Sequence, residues 1–183
     1  MDNTGMHWVF TTSPQNLITC LRYCVFGVDD EKYGITAGGD LVKPGDLMIF
    51  YVRSLRVRIV NAPNKCQRVF LGPYRVRSSG LLRPDHPAVN EWNPKNKFNI
   101  LIGIEKLNDI YIGAVGIDLV LNNPYFITNK ARSGRGGWQD HMQFSIISIR
   151  EEDYRAIINH LDPKHPPCIK QLKELMGDST PCL

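Results

Sequence analysis

Apolar and polar positions fall in short blocks along this chain, each bounded by proline, glycine or small polar residues. His7 to Thr12 (HWVFTT) is aromatic and β-branched, the composition of a strand. Ser13 followed by Pro14 marks a helix start, with an N-cap and a proline at the first helical position. Leu17, Ile18, Leu21 and Val25 supply its apolar stripe. Lys43-Pro44-Gly45-Asp46 reads as a turn into a buried strand, Leu47 to Arg53, that emerges at a basic end. Gln67 to Ser78 alternates Val69, Leu71, Tyr74 and Val76 with Arg68, Arg75 and Arg77, and Gly72-Pro73 marks a bulge or bend. One face of that strand is expected to look to the core and the other to an anion.

Leu81 to Lys97, rich in proline, asparagine and charge, reads as a long surface loop carrying Trp92. Asn99 to Glu105 is a further buried strand, and Ile110 to Ile112 a short one. Glu151 to Leu161 is an amphipathic helix, with acids in its first turn and Tyr154, Ile157, Ile158 and Leu161 on one side. After the break at Asp162 to Pro167, a short helix is expected over Ile169 to Met176. Gly177 to Leu183 reads as a frayed end or the start of a linker. The pattern predicts the α+β class: a curved, mostly antiparallel sheet or small barrel with helices against it. The expected division is a domain over residues 1–161 and a C-terminal extension over 162–183.

A chain of 183 residues with 43% hydrophobic positions buries roughly 70% of its unfolded surface and needs neither disulfide nor zinc to fold. The five cysteines, Cys20, Cys24, Cys66, Cys168 and Cys182, contain no C-x-x-C pair. Neither a disulfide framework nor a zinc knuckle is indicated. Cys20 and Cys24, four apart on a helix, read as small buried thiols. His160, His165 and Cys168 are the nearest approach to a metal cluster but are separated by prolines, so no metal or cofactor is expected. The longest apolar runs fall far short of the ~20 residues that span a bilayer, and Met1 to His7 has no apolar signal region. The expected compartment is the cytoplasm, without a membrane partner.

Charge changes this picture more than composition does. The net charge is only +4, but no Asp or Glu lies between Asp46 and Asp85, where Arg53, Arg56, Arg58, Lys65, Arg68, Arg75, Arg77 and Arg83 all fall. Such a run makes a positive surface suited to a phosphate backbone, unless folding laces it to acids elsewhere. No P-loop, G-x-S-x-G or H-E-x-x-H motif is present. No catalytic residue is assigned: His141, beside Asp140, defines no reaction without a placed nucleophile. Trp92 lies near Lys95 and Lys97, and Trp138 near Arg132 and Arg135 in a glycine-rich stretch. Aromatic rings beside positive charge are how proteins stack an extruded base while gripping its backbone.

Several blocks together carry a family resemblance: His7-Trp8-Val9-Phe10, Val25-Phe26-Gly27-Val28, Val42-Lys43-Pro44-Gly45-Asp46 into Phe50-Tyr51-Val52-Arg53, Phe126-Ile127-Thr128-Asn129-Lys130, Trp138 with His141, and Glu151-Glu152-Asp153-Tyr154. Over residues 7–161 the chain resembles the EVE domain, in particular its small archaeal stand-alone members. EVE domains belong to the PUA-like superfamily and are close to YTH domains. The resemblance therefore implies a curved β-barrel with flanking helices and a non-catalytic reader that flips a modified base, of N6-methyladenine or 5-methylcytosine type, into an aromatic cage. YTH members read RNA, whereas EVE domains are associated with modified DNA and with modification-dependent restriction GTPases. The implied partner is thus nucleic acid, DNA before RNA, with a restriction GTPase or nuclease as effector.

Residue by residue, Phe26 falls where the family usually has a cage tryptophan, a departure that offers less ring area. It is followed by Gly27, and Trp92 falls in the loop of a second cage tryptophan. Thr12, Ser13 and Asn16 stand where the base edge is read, and Trp138 and His141 would line or support the pocket. Arg53, Lys130, Arg132 and Arg135 would meet phosphate, with Arg75 and Arg77 on the basic face of their strand. Two other readings remain: a PUA-like RNA-binding accessory protein, and an enzyme using the same pocket on a modified nucleotide.

Overall fold

A computed structural model of the chain describes residues 5–29, 42–55, 57–107, 110–120, 146–162, 166–177 and 180–183. The elements run β1 (His7–Thr12), α1 (Pro14–Tyr23), β2 (Val25–Val28), β3 (Leu47–Val52), a 3-10 turn (Asn64–Cys66), β4 (Val69–Leu82), α2 (Pro87–Glu91), β5 (Ile100–Lys106), β6 (Gly113–Gly116), α3 (Ile117–Val120), β7 (Ile146–Ile149), α4 (Glu151–Ile158) and α5 (Pro166–Met176). The class is α+β, as the pattern predicts.

The strands form one curved sheet in the order β2-β5-β4-β3-β1-β7, with β6 added beside β4. β1 and β3 are parallel and every other pairing is antiparallel. Among the described residues the sheet does not close into a barrel, because the four-residue strands β2 and β7 end the path and pair only inward. Its curvature comes from β4. Met48 faces Tyr74 and Phe50 faces Leu71, so the extra residue on β4 falls at Gly72-Pro73, where the sequence predicts a bulge. Two further register shifts follow against β5, between Val76 and Ser78 and between Ser78 and Leu81.

Both faces of the sheet are covered. Trp8, Phe10, Phe50 and Tyr74 pack under α1, α5 and the Ala88–Trp92 segment, whereas Val9, Ile49, Tyr51 and Phe70 pack under α3 and α4. The turn ahead of β3 is tied down by Asp46. Its buried carboxylate accepts hydrogen bonds from Trp8 Nε1 (2.8 Å), Met6 N (2.9 Å) and Lys43 N (2.9 Å). Three donors to one carboxylate offset its loss of water.

The departures from the expected elements have local causes. The α1 helix starts at the predicted cap, where Ser13 Oγ accepts from Asn16 N (3.2 Å), but ends at Tyr23. Cys24 turns left-handed at φ 51°, which sends Val25 into β2 instead of along the helix. β4 continues through Leu82, and α2 occupies part of the expected surface loop. The expected strand over Ile110 to Ile112 is displaced to Gly113–Gly116, where the small residues lie against Val69 to Gly72.

The cysteine reading is overturned. Cys24 pairs with Cys182 and Cys66 with Cys168, and Cys20 alone is a free thiol. Partners 158 and 102 residues apart in sequence leave no local spacing signal, so only the fold brings them together. The disulfide also removes Cys168 from the metal reading with His160 and His165, of which His165 lies outside the described residues. The last residues are not frayed: Cys182 is 1% exposed and its carbonyl accepts from Tyr74 Oη at 2.8 Å. Among the described residues no helix is long and apolar enough to cross a membrane.

A thiol titration in denaturant without reductant is expected to count one reactive group, Cys20, and five after reduction; five without reductant overturns the pairing. Replacing Cys66 and Cys168 together by serine is expected to lower the unfolding free energy by roughly 2–4 kcal/mol in denaturant melts.

Candidate functional site

Where β1 ends and α1 begins, the chain turns sharply, and Arg53 at the end of the parallel neighbour β3 donates its backbone N–H to the Thr12 carbonyl (2.9 Å). Beside this junction lies a cavity of about 240 Å³. Thr11, Thr12 and Ser13 line it from the junction, Asn16 and Cys20 from α1, and Phe26 and Gly27 from β2. Trp92, Asn93, Pro94, Lys97 and Phe98 close it from the segment after α2, and Arg53 stands on its rim.

The aromatic walls are part of the core. Trp92 is 2% exposed and Phe26 3%, so Trp92 is a buried wall and not the surface-loop platform expected from its polar neighbours. Phe26 leans on Phe10 (ring centroids 4.6 Å apart), and Trp92 meets Phe98 edge-on at 6.3 Å. Gly27 admits this arrangement. A Cβ built there would lie 2.5 Å from one Trp92 ring carbon and 2.6 Å from another.

The Cys20 thiol lies beside the Trp92 and Thr12 side chains and the Gly27 backbone. Burial pushes the Cys20 thiol up to about 12, against hydrogen bonds that favour its thiolate. It is a packing group at the cavity wall and no nucleophile.

Asn16 does not present a free amide. Its Oδ1 accepts from Asn93 N (2.9 Å) and its Nδ2 donates to Asn93 O (3.0 Å), so both ends hold the segment that carries Trp92 and Pro94. The Ser13 hydroxyl caps α1. The Thr11 hydroxyl is buried without a partner among the described residues.

Positive charge gathers unevenly. Arg53 and Lys97 both line the cavity; Lys97 lies 3.8 Å from Asp29, and no carboxylate among the described residues pairs with Arg53. Elsewhere folding does lace the basic run to acids, with Arg68 2.9 Å from Asp118 and Arg75 3.8 Å from Glu105. Arg75 and Arg77 are exposed on β4 and do not line the cavity.

Six of the eight residues singled out for the pocket therefore meet at one cavity: Thr12, Ser13, Asn16, Phe26, Gly27 and Trp92. The other two, Trp138 and His141, lie outside the described residues, as do Lys130, Arg132 and Arg135. Cys20, Asn93, Pro94, Lys97 and Phe98 were not foreseen there. Cys20 stands one helical turn after Asn16, so helix spacing alone puts the two on one face. The others follow from Trp92 through chain continuity.

No family model matches the chain, and no curated protein matches it in sequence. Its fold is similar to that of solved structures. Rpa0253 from Rhodopseudomonas palustris aligns with a TM-score of 0.51 at 10% identity, over 85% of this chain and 92% of that one. Atu2648 from Agrobacterium tumefaciens aligns with a TM-score of 0.50 at 16% identity, over 89% and 97%. Human THYN1, solved in complex with DNA containing 5-methylcytosine, aligns with a TM-score of 0.49 at 13% identity, over 85% and 96%.

Gly27→Ala is expected to force Trp92 off its seat and lower stability by roughly 1–3 kcal/mol, measured by chemical denaturation with tryptophan fluorescence. The Cys20 thiol gives the fold an alkaline limit. The unfolded chain loses this proton near 9.0 whereas the folded chain holds it to about 12, so stability is complete below pH 9 and falls as pH rises. The expected loss from this group is roughly 1 kcal/mol between pH 9 and 10, and Cys20→Ser is expected to remove that part of the slope in melts over this range, leaving the part that the buried Tyr51, Tyr74 and Tyr154 contribute.

Proposed function

We propose that this chain is an EVE-type, PUA-like reader that binds a modified base of nucleic acid in the cavity between α1, β2 and the Trp92–Phe98 segment. The observation that carries the reading is the convergence at one cavity of Phe26, Trp92, Thr12, Ser13 and Asn16 with Arg53 on the rim. These are the positions that the resemblance assigns to the cage, the base edge and a phosphate contact. The cavity lies below the range of about 300–1,000 Å³ typical of drug-sized ligands, which suits a single flat group better than a whole nucleotide. The likeness to THYN1 is slight, and the reading rests on the cavity.

The mechanism follows from the lining. A base flipped from its strand forfeits a few kcal/mol of stacking and pairing, and an aromatic wall returns about 1–3 kcal/mol. The balance is close enough for contact with one methyl group to decide whether binding occurs. Arg53, exposed and without an acidic partner among the described residues, holds a flanking phosphate by charge, whichever base is in the cavity. Asn16 acts as a positioning residue, keeping the Trp92 wall closed over Gly27 through its two bonds to Asn93.

DNA is the proposed target before RNA, with N6-methyladenine and 5-methylcytosine as candidate bases and a restriction effector as the partner that acts on the signal.

Fluorescence anisotropy against matched DNA and RNA oligonucleotides, plain or modified, tests the proposal. One modified strand is expected to bind at least ~10-fold tighter than its plain twin. Phe26→Leu, which keeps apolar bulk and removes the ring, is expected to erase that ratio. Arg53→Ala is expected to weaken both strands equally and reduce the salt slope by about one. Equal affinity of wild-type protein for modified and plain strands sinks the proposal.

A further inference from the structure

From Arg53 on the cavity rim, the described residues 54, 55 and 57–61 leave the end of β3 as a braced loop. Leu55 N donates to Gln67 Oε1 (2.9 Å). Asn64 grips Ile59 from both sides, with Oδ1 accepting from its N–H (3.3 Å) and Nδ2 donating to its carbonyl (2.7 Å). What this bracing holds out to solvent is apolar: Val57 is 72% exposed and Val60 84%, with Arg58 exposed between them.

Single exposed apolar side chains are ordinary. Two on a braced loop, with arginine beside them and no Asp or Glu from residue 47 to residue 84, make a surface of defined chemistry. Its charge fits a polyanion and its apolar tips fit the faces of stacked bases. The root of the loop is fixed to the cavity wall by the Arg53 N–H on the Thr12 carbonyl, and Val57 lies within about 14 Å of chain from that root.

We infer that residues 57–60 form a wedge. Val57 and Val60 pack into the base stack of a duplex beside the position whose base occupies the cavity, while Arg53 and Arg58 meet the flanking phosphates. Apolar side chains inserted at a base step offset part of the cost of unstacking it. This rests on the proposed base-reading function and extends it, naming a duplex as the target. A single strand has no partner stack to hold open, so the wedge acts on duplex alone.

The test compares wild type with the Val57→Ser, Val60→Ser double variant of the full chain. Both positions are solvent-exposed, and a denaturant melt confirms the variant folded. Each protein is titrated against duplex and single-stranded DNA carrying 5-methylcytosine or N6-methyladenine, or neither, with 2-aminopurine beside the target base. The double variant is expected to lose about tenfold in affinity for modified duplex, with less than about twofold change on the single strand. Its 2-aminopurine signal on duplex binding is expected to fall with it. Equal losses on both substrates would make the loop a general contact and overturn the wedge. Unchanged affinity on both would leave the valines to a protein or lipid partner and overturn it too. If instead wild type shows no preference for a modified base in either the duplex or the single strand, the base-reading function fails and the wedge falls with it; failure of the wedge alone leaves that preference intact.

Discussion

The Trp92 indole lies against the backbone of Gly27 with no room for a side chain between them, and most of the site depends on that fit. It locks the segment after α2 onto β2, sets Trp92 beside Cys20 of α1, and leaves a cavity bounded by all three elements. The two bonds between Asn16 and Asn93 hold the same closure from the helix side. Packed interiors resist small changes in volume, so the cavity is a preformed feature of the core.

The sheet supplies the frame for this arrangement. β4 pairs with β3 along its first half and with β5 along its second, and its three bulges bend the sheet between them. That bend brings β2, carried on β5, round towards α1 and the end of β1. The parallel pairing of β1 and β3 brings Thr12 and Arg53, forty-one positions apart, to adjacent backbone positions at the cavity rim. The cavity wall and its basic rim thus meet at one sheet end, from two strands that finish side by side. The disulfides belong to the same frame: one ties the C-terminus to the end of α1, the other ties α5 to the turn before β4.

Much of this was legible in the chain because its causes are local. Ser13-Pro14 caps a helix by its own hydroxyl and fixed φ, Gly72-Pro73 bulges a strand, and the acids of Glu151 to Asp153 face a helix start. Family resemblance named six residues that meet at the cavity. The sequence by itself therefore determined the main strands, the first helix and the Glu151 helix, the α+β class and the polarity of the basic run. Tertiary structure alone decided the two disulfides, the burial of Trp92, the engagement of both ends of the Asn16 amide, and which arginines of the run are paired with acids. The physical reason is one of range: caps, turns and strand periodicity act within a few residues, whereas Cys24 with Cys182, Asn16 with Asn93, and Trp92 with Gly27 meet only after the chain has closed loops of 65 to 158 residues.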